Sequence, residues 1–241
     1  MTTSGHNDPD NQADSIDPDV WLDRGFELFK LGRFDEALQA FDRGLQLAPN
    51  HPAPWCGRGR AFAELGRFND ALQAFDRGLE LAPNEPGLWL DRGNVLFRLQ
   101  RFDEALLAFD RGLELDPNEP GLWLGRGHAL VELERFNDAL QAFDRGLELA
   151  PNEPGLWLDR GNVLFRLQRF DEALQAYDRG LELAPNNPRL WLGRGKALFG
   201  LERFDEALQA YDRGLELAPN NPASGSVAAT RSMDSADSMR R

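Results

Sequence analysis

Few residues in this sequence of 241 could act as nucleophiles, proton carriers or metal ligands. Cys56 is its one thiol, and His6, His51 and His128 are its three imidazoles, too widely scattered along the chain to suggest a metal cage. Serine and threonine are absent from residues 18–221. Carboxylate pairs such as Asp35-Glu36 have the spacing for acid–base work, but they return at the same place in a repeating pattern. Recurrence with the pattern marks them as partners of a helix dipole rather than catalysts. Cys56 stands where the other copies of the pattern carry leucine. It therefore reads as a small half-buried apolar residue, not a reactive thiolate. No glycine-rich phosphate loop has the required form. The sequence thus predicts no enzyme, no cofactor and no metal. One cysteine also cannot close an internal disulfide.

The elements that carry these residues follow from a period. Tryptophan occurs at 21, 55, 89, 123, 157 and 191, always 34 residues apart, and proline stands three residues before each. No helix or strand period gives that spacing, so it is an internal repeat. With the proline as position 1, six repeats run 18–51, 52–85, 86–119, 120–153, 154–187 and 188–221. The flanks, 1–17 and 222–241, hold all the serine and threonine and too little apolar surface to offset chain entropy. The first is expected to be a disordered acidic tail, the second disordered or a weak capping helix.

Each repeat carries two helical patterns. In the third, Pro86 suits a first helical turn, and Trp89, Gly93, Leu96 and Leu99 fall on one face. Phe102-Asp103-Glu104 opens a second helix whose buried stripe is Ala105, Phe109, Gly112 and Leu113, and Asp116-Pro117-Asn118 ends it. Glycine at positions 8 and 27 and alanine at position 20 recur in all six repeats. A helical glycine costs about 1 kcal/mol against alanine. Burying an aromatic removes about 200 Å² from water and returns more.

Trp89, Gly93, Leu96, Ala105, Phe109 and Pro117, with their counterparts elsewhere, resemble the tetratricopeptide repeat pattern in type and spacing. The resemblance implies an all-α fold: a right-handed α-solenoid, or superhelix, of six stacked antiparallel helix hairpins. It also implies a concave groove lined mainly by the first helices, which in such families usually holds a protein segment. The chain departs from the pattern at position 7, which is arginine throughout (Arg24, Arg58, Arg92, Arg126, Arg160, Arg194). These arginines are expected to satisfy helix ends or the aspartate at position 25. The family's clamp for C-terminal carboxylates is incomplete here. Asn94, Asn162 and Arg189 match single positions of it, while position 5 is leucine or Cys56.

The repeats differ mainly on the first helix. Position 6 alternates Asp and Gly, giving a coarser period of 68 residues. Position 9 runs Phe26, Arg60, Asn94, His128, Asn162, Lys196, and position 13 runs Lys30, Glu64, Arg98, Glu132, Arg166, Gly200. Positions 2, 5–6, 9 and 12–13 share one helical stripe, adding Asp91, Asp159 and Arg189 and the rings Phe97, Phe165 and Phe199. A constant packing helix with a varied lining is the pattern of a recognition surface, and these residues form the predicted partner-binding set. The six acids and six bases on the stripe cancel, whereas the chain carries −13. The sixth repeat gives the stripe Arg189 and Lys196 and no acid, so a bound segment with acidic residues toward that end fits. Local pairing of Arg60 with Glu64 and of His128 with Glu132, four residues apart, is the competing use of those charges.

The expected function is a protein–protein interaction scaffold that takes a peptide or helical segment of a partner. A second reading is a self-assembling repeat protein, because a solenoid leaves apolar ends open unless they are capped. On that reading the sixth repeat's second helix (Phe204, Ala207, Tyr211, Leu215) stays partly exposed. A consensus-like array with no natural partner would show the same regularity. The net charge disfavours nucleic acid. No apolar run reaches the roughly 18 residues of a membrane span, and the first residues lack a signal-peptide core. The cytoplasm is the expected location.

Overall fold

A computed structural model describes residues 16–219. The two tails expected on either side lie almost wholly outside that range. The described residues contain twelve α-helices and no strand, in six hairpins. They are α1 (Pro18–Lys30), α2 (Phe34–Leu47), α3 (Pro52–Glu64), α4 (Phe68–Leu81), α5 (Pro86–Arg98), α6 (Phe102–Leu115), α7 (Pro120–Glu132), α8 (Phe136–Leu149), α9 (Pro154–Arg166), α10 (Phe170–Leu183), α11 (Pro188–Gly200) and α12 (Phe204–Leu217). The chain divides into two compact halves between Pro117 and Asn118, with three hairpins in each.

Local chemistry sets the ends of each hairpin. Proline opens every first helix, and the residue before it caps in several repeats. Asp17 accepts from the Asp19 amide at 3.0 Å, His51 Nδ1 from Ala53 at 3.2 Å and Asn187 from Arg189 at 3.0 Å. The turn into the second helix needs a left-handed residue. Gly32 and Gly66 supply it with φ of 74° and 73°, and Gln100, Glu134, Gln168 and Glu202 are held there with φ between 57° and 60°. At that second helix an arginine turns onto the carboxylate three residues on. Arg101 grips Glu104 with bonds of 2.7 and 2.6 Å, an exposed pair that holds the Glu104 carboxyl below its usual range. The second carboxylate of each Asp-Glu pair is thus tied to the arginine before its helix, as at Glu36, Glu172 and Glu206.

The core is a row of rings set against glycines. Phe41, Phe75, Phe109, Phe143 and Tyr177, all at position 24, are at most 1% exposed. A Cβ on Gly25 would stand 2.4 Å from the Phe41 ring, and one on Gly161 would stand 2.6 Å from Tyr177. Position 8 is glycine because the ring occupies the space of a side chain. Four of the tryptophans, Trp55, Trp89, Trp157 and Trp191, brace their hairpins on the loop before. Trp89 Nε1 donates to the Pro83 carbonyl at 2.9 Å and Trp191 Nε1 to Pro185 at 2.8 Å.

Four of the position-7 arginines tie neighbouring repeats together. Arg58, Arg92, Arg160 and Arg194 pair with Asp42, Asp76, Asp144 and Asp178 of the preceding repeat at 2.6–3.0 Å. Arg92 and Arg194 also lie over their own tryptophans, 5.9 Å from the ring centres. Of the four residues expected to stay partly exposed on the sixth repeat's second helix, two are covered. Ala207 and Tyr211 are 0% and 2% exposed, because Tyr211 packs onto Gly195 of its own hairpin. Phe204 and Leu215 are half-buried.

Candidate functional site

Position 6 distinguishes the junctions α2–α3 and α10–α11 from α4–α5 and α8–α9. In the first junction, α2 against α3, the Phe41 ring lies between two glycines. A Cβ on Gly57 would come within 2.4 Å of it, as one on Gly25 would on the other side. In the α10–α11 junction Tyr177 is held the same way by Gly161 and Gly193, with distances of 2.6 and 2.5 Å. At α4–α5 and α8–α9 the second glycine is replaced by Asp91 or Asp159. An aspartate cannot share that space with a ring, and α5 and α9 rest less extensively on the helices before them than α3 and α11 do. A cavity opens at each of these two junctions.

The N-terminal cavity, about 450 Å³, is bordered by Arg60, Glu64, Asp91, Asn94 and Arg98 over a floor that includes Phe75 and Val95. The C-terminal one, about 520 Å³, is bordered by His128, Glu132, Asp159, Asn162, Phe165, Arg166 and Lys196 over Phe143, Val163 and Tyr177. The five polar residues of the first stand 68 positions before their counterparts in the second.

In each cavity the aspartate is bound by the position-9 base of the preceding repeat. Arg60 Nε lies 2.7 Å from Asp91 Oδ2, and His128 Nε2 lies 2.8 Å from Asp159 Oδ2. The pairing four residues along one helix, Arg60 with Glu64 and His128 with Glu132, gives way to this bond across helices. Burial pushes the Asp91 carboxyl above its ordinary value, against the pull of Arg60. Burial likewise pushes Cys56, with Sγ 3.9 Å from Asp91 Oδ2, up to about 11. That thiol is protonated at neutral pH and suits the packing role the sequence suggested. In the C-terminal cavity the Tyr177 hydroxyl donates to Asn162 Oδ1 at 3.0 Å. The first four repeats have phenylalanine at that position.

Two guanidinium groups face the cavities with only a ring beneath them. Arg98 lies 5.2 Å above Phe68, and Arg166 lies 5.2 Å above Phe136. Both side chains are exposed, so each cavity offers a positioned cation beside an asparagine amide one helical turn away.

The predicted partner-binding residues separate into two groups. Twelve border the two cavities. The other five do not. Phe26 packs on Phe41 with ring centres 5.2 Å apart. Lys30 pairs with Glu27 at 2.8 Å. Phe97 and Phe199 clip their own second helices through Phe102 and Phe204. Arg189 lies in the first turn of α11 with an exposed side chain. Phe165 clips its helix against Phe170 while it also borders the cavity. Phe75, Val95, Phe143, Val163 and Tyr177 were missed, because buried ring and valine positions read as core alone. The signal that finds them is aspartate at position 6, which uncovers the ring of the repeat before.

Hairpins of this length, joined by glycine-seated rings and braced by tryptophan, define a helical repeat scaffold. The tetratricopeptide repeat signature matches residues 22–86, 56–120, 90–154, 124–188 and 158–222, and the chain belongs to that family. No curated protein matches it. Solved structures show the same all-α solenoid class. PilF of Pseudomonas aeruginosa is similar with a TM-score of 0.77 and 18% identity, covering 88% of this chain and 96% of that one. YrrB, described as a TPR protein with an unusual peptide-binding site, has a TM-score of 0.67 and 23% identity over 76% of this chain and 95% of its own. A chain of the APC/C hetero-tetramer Cut9–Hcn1 reaches 0.71 at 19% identity, covering 89% of this chain. This chain spans 43% of that one. The fold is typical of protein–protein interaction scaffolds. No described helix is long and apolar enough to cross a membrane.

Proposed function

We propose that this protein is a non-catalytic scaffold whose two cavities each take side chains from a peptide or helical segment of a partner protein. The observation that carries this reading is the coincidence of the cavities with the variable residues. Twelve of the partner-binding positions read from sequence border a cavity, and the near-constant second helices add rings to its floor. The peptide-binding description of YrrB supports the same class of ligand. Arg98 and Arg166 select acidic side chains, because a guanidinium over a ring is oriented and, among the described residues, no carboxylate pairs with it. Lys196 and Arg189 extend that preference toward the sixth repeat.

A displayed random-peptide library tests this. The wild-type protein is expected to enrich peptides with an acidic consensus. The double variant Arg98→Glu, Arg166→Glu is expected to lose that enrichment at least tenfold while its helical circular dichroism stays unchanged. Equal enrichment by both proteins would refute the assignment.

A further inference from the structure

The junction rule has two unmatched halves at opposite ends of the repeat array. At each open junction the position-9 base of an even-numbered repeat bonds the position-6 aspartate of the next: Arg60 with Asp91, and His128 with Asp159. The third base in this series is Lys196, and 31 residues beyond it stands Val227 rather than an acid. The third aspartate is Asp23, at position 6 of the first repeat, which no repeat precedes.

The surfaces around these two charges are also unmatched. The α10 and α12 sequences are identical, FDEALQAYDRGLEL. On α10 the leucines Leu174 and Leu181 are each 8% exposed, with α11 packed over that helix. Their counterparts on α12, Leu208 and Leu215, are only half-buried. The position-3 leucine of a following repeat normally seats on the position-27 glycine. Leu156 comes within 3.3 Å of a Cβ built on Gly146, and Leu190 within 2.6 Å of one on Gly180. The three atoms nearest a Cβ built on Gly214 belong to its own hairpin, on Leu192 and Trp191. At the other end, Val20 holds position 3 and is half-buried, where Leu88, Leu156 and Leu190 are at most 3% exposed. Leu31 is 69% exposed, while Leu65 and Leu99 are half-buried.

We propose that a second copy of this chain docks head to tail. Its α1 covers α12, its Val20 seats on Gly214 and its Asp23 bonds Lys196, reproducing between molecules the open junction found twice within one. The contact is heterologous, so it leaves a free head and a free tail and can add further copies. This reading does not depend on peptide capture, although it assigns Lys196, which also borders the C-terminal cavity, to the contact between copies.

The test is sedimentation velocity of the full chain over a range of concentrations, with the variants Asp23→Lys and Lys196→Asp. Wild type is expected to gain mass with concentration. Each variant alone places like charges at the contact and is expected to associate at least tenfold more weakly. An equimolar mixture restores opposite charges at both kinds of contact and is expected to regain wild-type association. Recovery on mixing also shows that both variants are folded. A wild type that stays monomeric at every concentration overturns the proposal, as does a mixture no more associated than its components.

Discussion

The α2–α3 and α4–α5 junctions are built from nearly the same parts and behave differently. Both place a position-24 phenylalanine against a position-8 glycine of its own hairpin. Phe41 meets a second glycine, Gly57, across the seam, and the seam closes. Phe75 meets Asp91, and the seam becomes a cavity with a charge pair at its edge. One residue type, alternating along otherwise near-constant hairpins, thus converts a packed seam into an open cavity. The same substitution produces the second cavity at Asp159.

The comparison breaks most directly from the closed side. Gly57→Asp forces a Cβ to within 2.4 Å of the Phe41 ring and brings a carboxylate to a buried position. It is expected to cost about 3–4 kcal/mol in urea-unfolding stability; a loss under 1 kcal/mol would mean the closed seam has slack. On the open side, Cys56 reports burial beside Asp91. With its pKa pushed up to about 11 from 9.0, its thiolate fraction at pH 8 is on the order of 100-fold below that of an ordinary thiol. Iodoacetamide should alkylate it slower by that factor in the folded protein and at the ordinary rate in urea. The smallest effect falls on the tie itself. The Arg60 side chain is 45% exposed, so Arg60→Ala is expected to cost about 1 kcal/mol, read from the denaturation midpoint.

The hairpins were legible in the sequence because their signals are local and repeated six times. Proline at the first turn, the helix-opening Phe-Asp-Glu and the glycine–aromatic seams each have a direct physical reading, and the position-7 arginines meet the position-25 aspartates as their spacing suggested. The left-handed turns at Gln100 and Glu134 were not legible, since only Gly32 and Gly66 announce that backbone. The site was half legible. Variation on the first helix picked out Asn94, Arg98, Asn162 and Arg166. It also picked out Phe26, Phe97 and Phe199, which share the helical stripe but turn to rings of their own hairpins. Helical periodicity gives a direction around one helix. It does not say whether the neighbouring helix is close enough to cover that direction, and the size of position 6 settles that.

The central claim is that aspartate at the open junctions makes the binding surface. The double variant Asp91→Gly, Asp159→Gly, presented to the same peptide library as wild type, tests it most directly. Closure of both seams predicts a folded protein whose peptide enrichment falls at least tenfold. Enrichment equal to wild type, with both seams closed in a crystal structure of the variant, would contradict it.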